Sequence, residues 1–232
     1  MKLKKLCTLV LAGIMTFSVT AIAMADAEAS WDAGKGTAVV DGIKDDAYAN
    51  AQEMKMEAVS DGEADGTAAS AWAIYDAEAI YFLVEVADSE LDDTAANAYE
   101  KDSVEFRFEN STQLVQAYAV AENFDGTIAS EVKVLKTDVG YNVEFKVPYA
   151  TAEGGSVLFT LQVNAASGGK RNCTLHTNDD LKDAWQNDAV FETLVFSSSD
   201  APKTGVVSLG LFFGMGAIAS AVGAGVLKKK KR

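Results

Sequence analysis

The chain has 232 residues, 49% of them apolar, with 34 acidic and 20 basic side chains and a net charge of −14 at pH 7. This acidic balance excludes nucleic acid and anionic lipid surfaces as partners, because both carry negative charge themselves. One histidine and two cysteines are also too few side chains to form the histidine or cysteine cluster of a zinc or haem site.

The first 25 residues have the pattern of a secretory signal peptide. Three lysines open the chain, the apolar run 6–23 follows, and the small residues between Ala23 and Ala27 fit an A-x-A cleavage site. Cys7 falls within this leader, so only Cys173 remains afterwards and no intrachain disulfide is expected. Residues 26–36 are small and polar, which indicates a flexible lead-in.

Residues 37–196 contain ten or eleven short stretches with strand character and almost no helical pattern. The predicted strands are 37–41, 53–59, 68–75, 80–86, 103–108, 114–122, 128–136, 141–147, 157–164, 172–176 and 190–196. One helical turn is predicted at 45–50, and a hairpin turn at Asn123-Phe124-Asp125-Gly126. Short alternating strands between regularly spaced turn signals predict one all-β domain, an antiparallel β-sandwich or jelly roll.

The stretch 103–108 alternates strictly between apolar and polar side chains. Val104, Phe106 and Phe108 point to one face, and Ser103, Glu105 and Arg107 point to the other. Tyr99 stands at the entrance of this strand. An aromatic ring beside a carboxylate on an exposed sheet face offers a sugar a flat apolar platform and an acceptor for its hydroxyl groups. Taken alone, these residues favour an ordinary half-buried strand with a solvated charged face.

The C-terminal residues have the order of a cell-wall sorting signal. The linker 197–205 ends in Ala201-Pro202-Lys203-Thr204-Gly205, the uncharged run 206–227 follows, and residues 228–232 are consecutive cations. This resembles the L-P-x-T-G signal of Gram-positive surface proteins, although an alanine stands where leucine is usual. A sortase would cut between Thr204 and Gly205 and join Thr204 to peptidoglycan. A plain single-span membrane anchor fits the same run and basic tail, and both interpretations place the domain on the outer face of the cell.

Several motifs occur in the order of one known family. The motifs are V-V-D-G-I-K-D-D-A-Y at 39–48, A-S-A-W-A-I-Y-D at 69–76, A-I-Y-F-L-V-E-V-A-D at 79–88, N-A-Y-E-K-D-S-V-E-F at 97–106 and L-Q-V-N at 161–164, with Trp185 after them. With these, residues 39–196 resemble the family 9 carbohydrate-binding modules, which have a DOMON-like β-sandwich fold.

The resemblance implies a site in which two aromatic rings clamp a terminal sugar and polar side chains bind its hydroxyl groups. Tyr99 and Trp185 match the two ring positions, and Glu105 and Gln162 match two hydrogen-bonding positions. Tyr118 stands where the family has an arginine that contacts the sugar, and Lys182 where it has an asparagine. The function expected from this is surface-anchored, non-catalytic binding of polysaccharide chain ends of the xylan or cellulose type.

Calcium is the cofactor that the resemblance implies, in a structural role. Without leader and tail, twelve cations remain against all 34 acids, a net charge of about −22 that suits a neutral ligand or calcium. The acidic loops 61–65 and 88–93 have the oxygen ligands that calcium prefers. A solvated acidic surface explains each of these carboxylates equally well.

Other functions are weighed against this one. The departures at Tyr118 and Lys182 favour a structural or adhesive surface protein whose sugar site has degenerated. A DOMON-type haem or redox domain would need an axial histidine or methionine pair, and His176, beside a polar loop, is interpreted as a bystander. No nucleophile with its base and no raised acid is recognisable, so no enzyme is predicted. Trp72 is interpreted as a core residue rather than a surface platform.

Overall fold

The computed structural model describes residues 29–63 and 65–198. The predicted signal peptide 1–25, the sorting motif with Thr204 and Gly205, the apolar span 206–227 and the basic tail 228–232 lie outside these residues. Among the residues described, no helix is long and apolar enough to cross a bilayer.

Thirteen strands and four short 3-10 helices make up the described part of the chain. The strands are β1 (Ser30–Lys35), β2 (Met54–Met56), β3 (Ala58–Ser60), β4 (Ala68–Tyr75), β5 (Ala79–Ala87), β6 (Ser103–Phe108), β7 (Asn110–Tyr118), β8 (Asn123–Gly126), β9 (Glu131–Thr137), β10 (Gly140–Pro148), β11 (Ser156–Ser167), β12 (Lys170–His176) and β13 (Glu192–Phe196). The 3-10 helices span Asp46–Asn50, Ala98–Glu100, Asp179–Asp183 and Asp188–Val190. The prediction of an all-β domain is confirmed.

The strands form two packed layers. Sheet I has the order β8-β7-β6-β11-β13-β1, with β12 beside β11 and β3 beside β12. Sheet II has the order β1-β4-β5-β10-β9, with β2 beside β4. Strand β1 pairs in parallel with β13 and with β4, so it belongs to both sheets and joins them along one edge. Strand β5 lies inside sheet II, as its apolar residues on both faces predict.

The core lies between the two sheets and is rich in phenylalanine. The ring of Phe82 on β5 lies 4.6 Å from that of Phe106 on β6 and 5.2 Å from that of Phe145 on β10, between centroids. Phe106 and Phe145 are themselves 4.8 Å apart. Each ring comes from a strand in which every second side chain is apolar and points to the same face. These apolar faces meet between the two sheets and form the core.

The outer face of sheet II is covered by the chain itself. Residues 38–51 cross it and bury Trp72, Ile74 and Leu83 in a second apolar cluster. The buried carboxylate of Glu144 fastens this covering segment, because it accepts hydrogen bonds from the backbone N–H groups of Asp41 (3.0 Å) and Gly42 (2.9 Å) and from the Tyr48 hydroxyl (2.9 Å). The interpretation of Trp72 as a core residue is confirmed.

Two predictions near the N-terminal end of the domain are wrong. Residues 30–35, expected to be part of a flexible lead-in, form strand β1 with Ala33 fully buried. The small residues there reflect close packing: a side chain at Gly34 would meet the backbone of Asn50 at 2.5 Å. The strand expected at 37–41 does not form, because this stretch leaves the sheet and donates to Glu144 instead.

The hairpin turn expected at 123–126 is also placed differently. These residues form β8, which pairs with the end of β7 from Val115 to Tyr118, and the chain turns earlier, at 119–122. Gly126 is needed because a side chain there would meet the carbonyl oxygen of Leu114 at 2.2 Å. The Asp-Gly pair was therefore a signal of close strand approach rather than of a turn.

Candidate functional site

The outer face of sheet I carries a row of polar side chains that crosses four strands. Glu105 on β6 lies opposite Gln116 on β7 and opposite Gln162 on β11, and Gln162 lies opposite His176 on β12. Glu105 and Gln162 were both predicted on the face away from the core, and the register makes them direct cross-strand neighbours. The structure therefore brings the two predicted hydrogen-bonding residues together.

This face is less exposed than the sequence suggests. Ser103, Glu105 and Arg107 were expected on a solvated charged face, but all six residues of β6 are buried. The 3-10 helices Ala98–Glu100 and Asp179–Asp183 both contact β12, and the polar side chains of this face hydrogen-bond one another. A carboxylate held in such surroundings needs partners, since an unpaired buried charge is costly.

Glu105 has those partners. Its Oε2 lies 3.0 Å from the guanidinium of Arg107, and its Oε1 accepts a hydrogen bond from Asn164 Nδ2 at 2.9 Å. Both side chains of the ion pair are at least nine-tenths buried. The carboxylate is thus held in one orientation before any ligand arrives, which reduces the entropy lost on binding.

Asn164 is the centre of the network around this ion pair. Its Nδ2 also donates to Ser103 Oγ (3.0 Å), and its Oδ1 accepts from Gln162 Nε2 (3.2 Å) and from Arg171 (3.3 Å). The sequence placed Asn164 beside Gln162 on the same strand face, but it gave no reason to connect it with Arg171. That link depends on the pairing of β11 with β12.

The same face holds unused hydrogen-bonding capacity. Six buried side-chain polar atoms lack a partner within residues 29–63 and 65–198, and four of them belong to residues that point to this face. These four are Arg107 Nε, Thr160 Oγ1, Thr174 Oγ1 and His176 Nδ1. Since buried polar groups in proteins are normally paired, their concentration here indicates a surface built for polar contacts with water or a ligand.

His176, interpreted from the sequence as a bystander beside a polar loop, lies buried on this face opposite Gln162. Its Nε2 lies 2.9 Å from the hydroxyl oxygen of Ser60 on β3. Burial lowers the pKa of His176 to about 4, with Asp61 opposing and Arg171 assisting that shift. The ring is therefore neutral near pH 7. The sequence could have indicated this position, because Thr174 and His176 are two residues apart on β12 and therefore point to the same face.

Tyr99 stands on the 3-10 helix Ala98–Glu100 at the entrance of β6, where its ring is 49% exposed. Gln116 Nε2 holds this helix by donating to the carbonyl oxygen of Ala98 at 3.2 Å. The guanidinium of Arg171 lies 5.4 Å from the centre of the Tyr99 ring and pairs with Asp61 at 2.9 Å. Tyr99 is therefore an exposed ring on a braced loop at the Arg171 end of β12.

Trp185 follows the other end of β12, and it is 59% exposed. The loop that carries Trp185 is stabilised by the buried apolar cluster of Leu181, Ala184 and Phe191. Glu192 on β13 holds the start of the loop by accepting from the Thr177 hydroxyl and the Asn178 amide, both at 2.6 Å. Lys182 lies in this loop and is exposed. The two exposed rings are thus carried by segments at the two ends of β12: Tyr99 lies beside Arg171 near its start, and Trp185 follows its end.

Tyr118 lies on the same face of β7 but is occupied by protein contacts. Its hydroxyl lies 3.0 Å from Asp125 Oδ2 and 3.3 Å from Gln116 Oε1, and only 8% of the residue is exposed. Burial, with the hydrogen bond to Asp125, raises the pKa of Tyr118 to about 12. This side chain therefore reaches a ligand only if its present hydrogen bonds are exchanged.

The two acidic loops meet beside Asp102. Its carboxylate accepts from the backbone N–H groups of Asp92 and Ala166, the latter at 2.7 Å. Burial raises the pKa of Asp102 to about 7, and the neighbouring charge of Asp88 acts in the same direction. Nevertheless, within the described ranges no group of three or more metal-ligating side chains is placed to hold an ion.

The chain is similar to proteins that share this architecture. The family model described as carbohydrate family 9 binding domain-like matches residues 40–199. An endo-1,4-beta-xylanase A of Thermoanaerobacterium saccharolyticum is 31% identical over 191 residues, and an exoglucanase XynX of Acetivibrio thermocellus is 29% identical over 184. These matches cover 74% and 70% of this chain but only 16% of each relative, so the chain spans a small part of their length.

Solved structures show the same fold. A carbohydrate-binding module family 9 from Caldicellulosiruptor kristjanssonii, in complex with cellotriose, superposes with a TM-score of 0.64 at 23% identity, covering 77% of this chain and 97% of that one. The same module in complex with glucose gives a TM-score of 0.65. At this identity the likeness establishes the fold and not the ligand.

Proposed function

Because the chain belongs to the carbohydrate family 9 binding domain-like family, we propose that it binds the chain ends of xylan- or cellulose-type polysaccharides on the outer face of sheet I. Tyr99 and Trp185 supply aromatic faces on which a sugar ring stacks, and Glu105 and Gln162 bind its hydroxyl groups. The role is binding without catalysis, since the family is one of binding domains.

One observation carries this proposal: Glu105 and Gln162 are cross-strand partners in the middle of a polar face, and Tyr99 and Trp185 are exposed rings in the segments next to β6 and β12. Flat apolar faces combined with a few fixed polar groups are what sugar recognition requires. Stacking supplies most of the affinity in this arrangement, and the fixed carboxylate and amide supply the orientation.

The test is calorimetric titration of the purified protein with cellotriose and xylotriose, beside a broad glycan array. We expect weak but saturable binding by the wild-type protein and none by Trp185→Ala. A Val139→Ala variant, changed at an exposed apolar side chain in the turn between β9 and β10 of sheet II, serves as the control and keeps its affinity. If no glycan on the array binds the wild-type protein, the proposal is wrong.

The competing function is a structural or adhesive surface protein with a degenerate sugar site. The contacts of the Tyr118 hydroxyl with Asp125 and Gln116 support it, because they occupy a position from which a sugar contact was expected. The two functions differ in one measurement. An adhesive scaffold binds no glycan on the array, and Trp185→Ala leaves its cell-surface adhesion unchanged.

We further propose that a sortase cleaves between Thr204 and Gly205 and that the domain is displayed on a Gram-positive-type cell wall. The order of motif, apolar span and basic tail supports this. Weak single sites then act together, since many copies on one wall raise the effective concentration. Mass spectrometry of digested wall fragments should find Thr204 joined to a peptidoglycan peptide, and an intact C-terminus in the membrane fraction would contradict sortase cleavage.

Calcium remains a proposal for the acidic loops around Asp88 and Asp102. Burial is the main cause of the raised pKa of both carboxyl groups, but the charge of Asp65 acts on Asp88 and that of Asp88 on Asp102 in the same direction, and a cation would relieve this repulsion. Thermal unfolding with millimolar calcium and with a chelator is the test. We expect a higher melting temperature with calcium, and equal values would count against a structural ion.

A further inference from the structure

We propose that Asn164 is a positioning residue that fixes the side-chain amide of Gln162, so that Gln162 Oε1 accepts a hydrogen bond from a sugar hydroxyl group. This inference rests on the proposed function. Asn164 is fully buried, so it acts through Gln162, Glu105 and Tyr99 rather than by touching a ligand.

The donor and acceptor roles in this hydrogen-bond network follow from one backbone carbonyl group. Ser103 Oγ donates its one proton to the carbonyl oxygen of Lys101, at 3.0 Å. The same oxygen can then only accept further hydrogen bonds, and it does so from Asn164 Nδ2 (3.0 Å) and Gln116 Nε2 (3.1 Å). The carboxylate of Glu105 is likewise only an acceptor, and it takes the other proton of Asn164 Nδ2 at 2.9 Å.

Asn164 therefore has one possible orientation, with Oδ1 turned the opposite way. There it accepts from Gln162 Nε2 at 3.2 Å and from the guanidinium of Arg171 at 3.3 Å. Arginine has no acceptor, which gives a second, independent reason for the same orientation. The hydrogen bond to Asn164 uses one of the two protons of Gln162 Nε2 and fixes the rotation of the amide, so that Oε1, an acceptor, lies on the side away from Asn164.

Two acceptors then stand side by side on neighbouring strands, the Gln162 oxygen and the Glu105 carboxylate. Residues directly opposite in a sheet have β-carbons about 5 Å apart, close enough to bind two hydroxyl groups of one sugar ring. The geometry therefore favours a sugar whose neighbouring hydroxyl groups donate to Gln162 Oε1 and to the Glu105 carboxylate.

Arg171 connects Asn164 with Tyr99. The same nitrogen that donates to Asn164 also lies 3.4 Å from the carbonyl oxygen of Tyr99, and the guanidinium stacks against the ring of Tyr99. Asn164 Oδ1 thus accepts hydrogen bonds both from Gln162 and from Arg171, the residue that contacts Tyr99.

The test compares glucose with its monodeoxy derivatives by NMR titration of the full chain, in the wild type and in Asn164→Ala. In the wild type, we expect at least one deoxy derivative to bind at least tenfold more weakly than glucose. In Asn164→Ala this ratio should fall below about threefold, because the Gln162 amide is no longer held in place and must be ordered when it bonds the sugar hydroxyl group, which weakens that contact. Asn142→Ala, which removes an amide that donates to the carbonyl of Gly42 on sheet II, is the matched control and keeps the wild-type ratio.

A common loss of affinity for glucose and every derivative, with the ratio unchanged, would mean that Asn164 only supports the fold and would overturn the inference. A wild-type protein that binds glucose but shows no deoxy penalty would overturn it equally. If the wild type binds no sugar at all, the proposed function itself fails, and the inference with it.

A measurement without any substitution guards against a variant that does not fold. In the wild-type protein saturated with glucose, the Gln162 side-chain amide protons should show nuclear Overhauser effects to β11 and β12 and slow exchange with water. Overhauser effects from those protons to the sugar would place the donor end of Gln162 on the ligand and contradict the inference.

Discussion

The outer face of sheet II is covered by the protein's own residues 38–51, whereas the outer face of sheet I carries a polar network centred on Asn164, with the exposed rings of Tyr99 and Trp185 in neighbouring segments. Both faces are built from alternating strands with polar or aromatic side chains pointing away from the core. The difference lies in what covers them. On sheet II, residues 38–51 are held by Glu144 and pack over the aromatic side chains. On sheet I, the short 3-10 helices Ala98–Glu100 and Asp179–Asp183 contact β12.

Two tryptophans show the consequence. Trp72 on sheet II is 8% exposed, and the ammonium nitrogen of Lys44 lies 2.9 Å from the centre of its ring, whereas Trp185 is 59% exposed. A depression of about 660 Å³ does remain on sheet II beside Trp72, Glu53 and Glu85. Its aromatic face is already occupied by a cation, so volume alone does not identify a sugar site.

The largest expected effect tests this contrast directly. Trp72→Ala should lower the free energy of unfolding by about 3–4 kcal/mol, since it leaves a cavity in the second apolar cluster. The folded fraction should keep its affinity for cellotriose. Trp185→Ala should do the reverse, with stability within about 0.5 kcal/mol of the wild type. Urea unfolding and calorimetry measure both, and a stability loss at Trp185 would remove the contrast.

The second prediction concerns the anchor of the covering segment. Glu144→Ala should cost about 3 kcal/mol of stability, because it leaves the buried N–H of Gly42, the partly buried N–H of Asp41 and the buried Tyr48 hydroxyl without their acceptor. Hydrogen exchange should accelerate in residues 38–51 before the rest of sheet II. Glu131→Ala, at an exposed pair 3.6 Å from Lys146, is the control and should change stability little. Uniform exchange across the sheet would show that Glu144 does not hold the segment.

The third prediction uses the buried histidine of sheet I. The pKa of His176 is about 4 in the folded protein and about 6.5 when unfolded, so the unfolded chain binds more protons between these values. Stability is therefore lost as the pH falls from 6.5 towards 4, by about 2 kcal/mol at pH 4.5. His176→Gln should lose that much less stability than the wild type between pH 7 and pH 4.5, as measured by urea unfolding. Parallel pH profiles of the two proteins would refute the prediction.

The smallest expected effect compares one carboxylate on each sheet. Glu105→Gln should weaken cellotriose binding about tenfold, or about 1.4 kcal/mol, because a neutral amide is a weaker acceptor and leaves Arg107 without its ionic partner. Glu85→Gln, on the outer face of sheet II, should leave the affinity unchanged. Calorimetry measures both variants. Equal losses in the two would move the ligand away from sheet I.

The sequence by itself determined the local features of this protein. The bounds of β4 and β6 are those that the alternation predicts, and Glu105 and Gln162 lie on the non-core face as expected. Alternation is a local property, because successive side chains in a strand point to opposite faces whatever the strand pairs with. The motif order further indicated the family before any fold was known.

Only the tertiary structure decided how distant segments combine. It made residues 30–35 a strand that joins both sheets, laid 38–51 over sheet II, and set His176 beside Gln162 and Arg171 beside Asn164. None of these pairings has a local signal, because the register between two strands depends on which side chains fill the shared core and not on the composition of either strand. For the same reason, the polar side chains of sheet I become a connected network only when four strands from separate parts of the chain lie side by side.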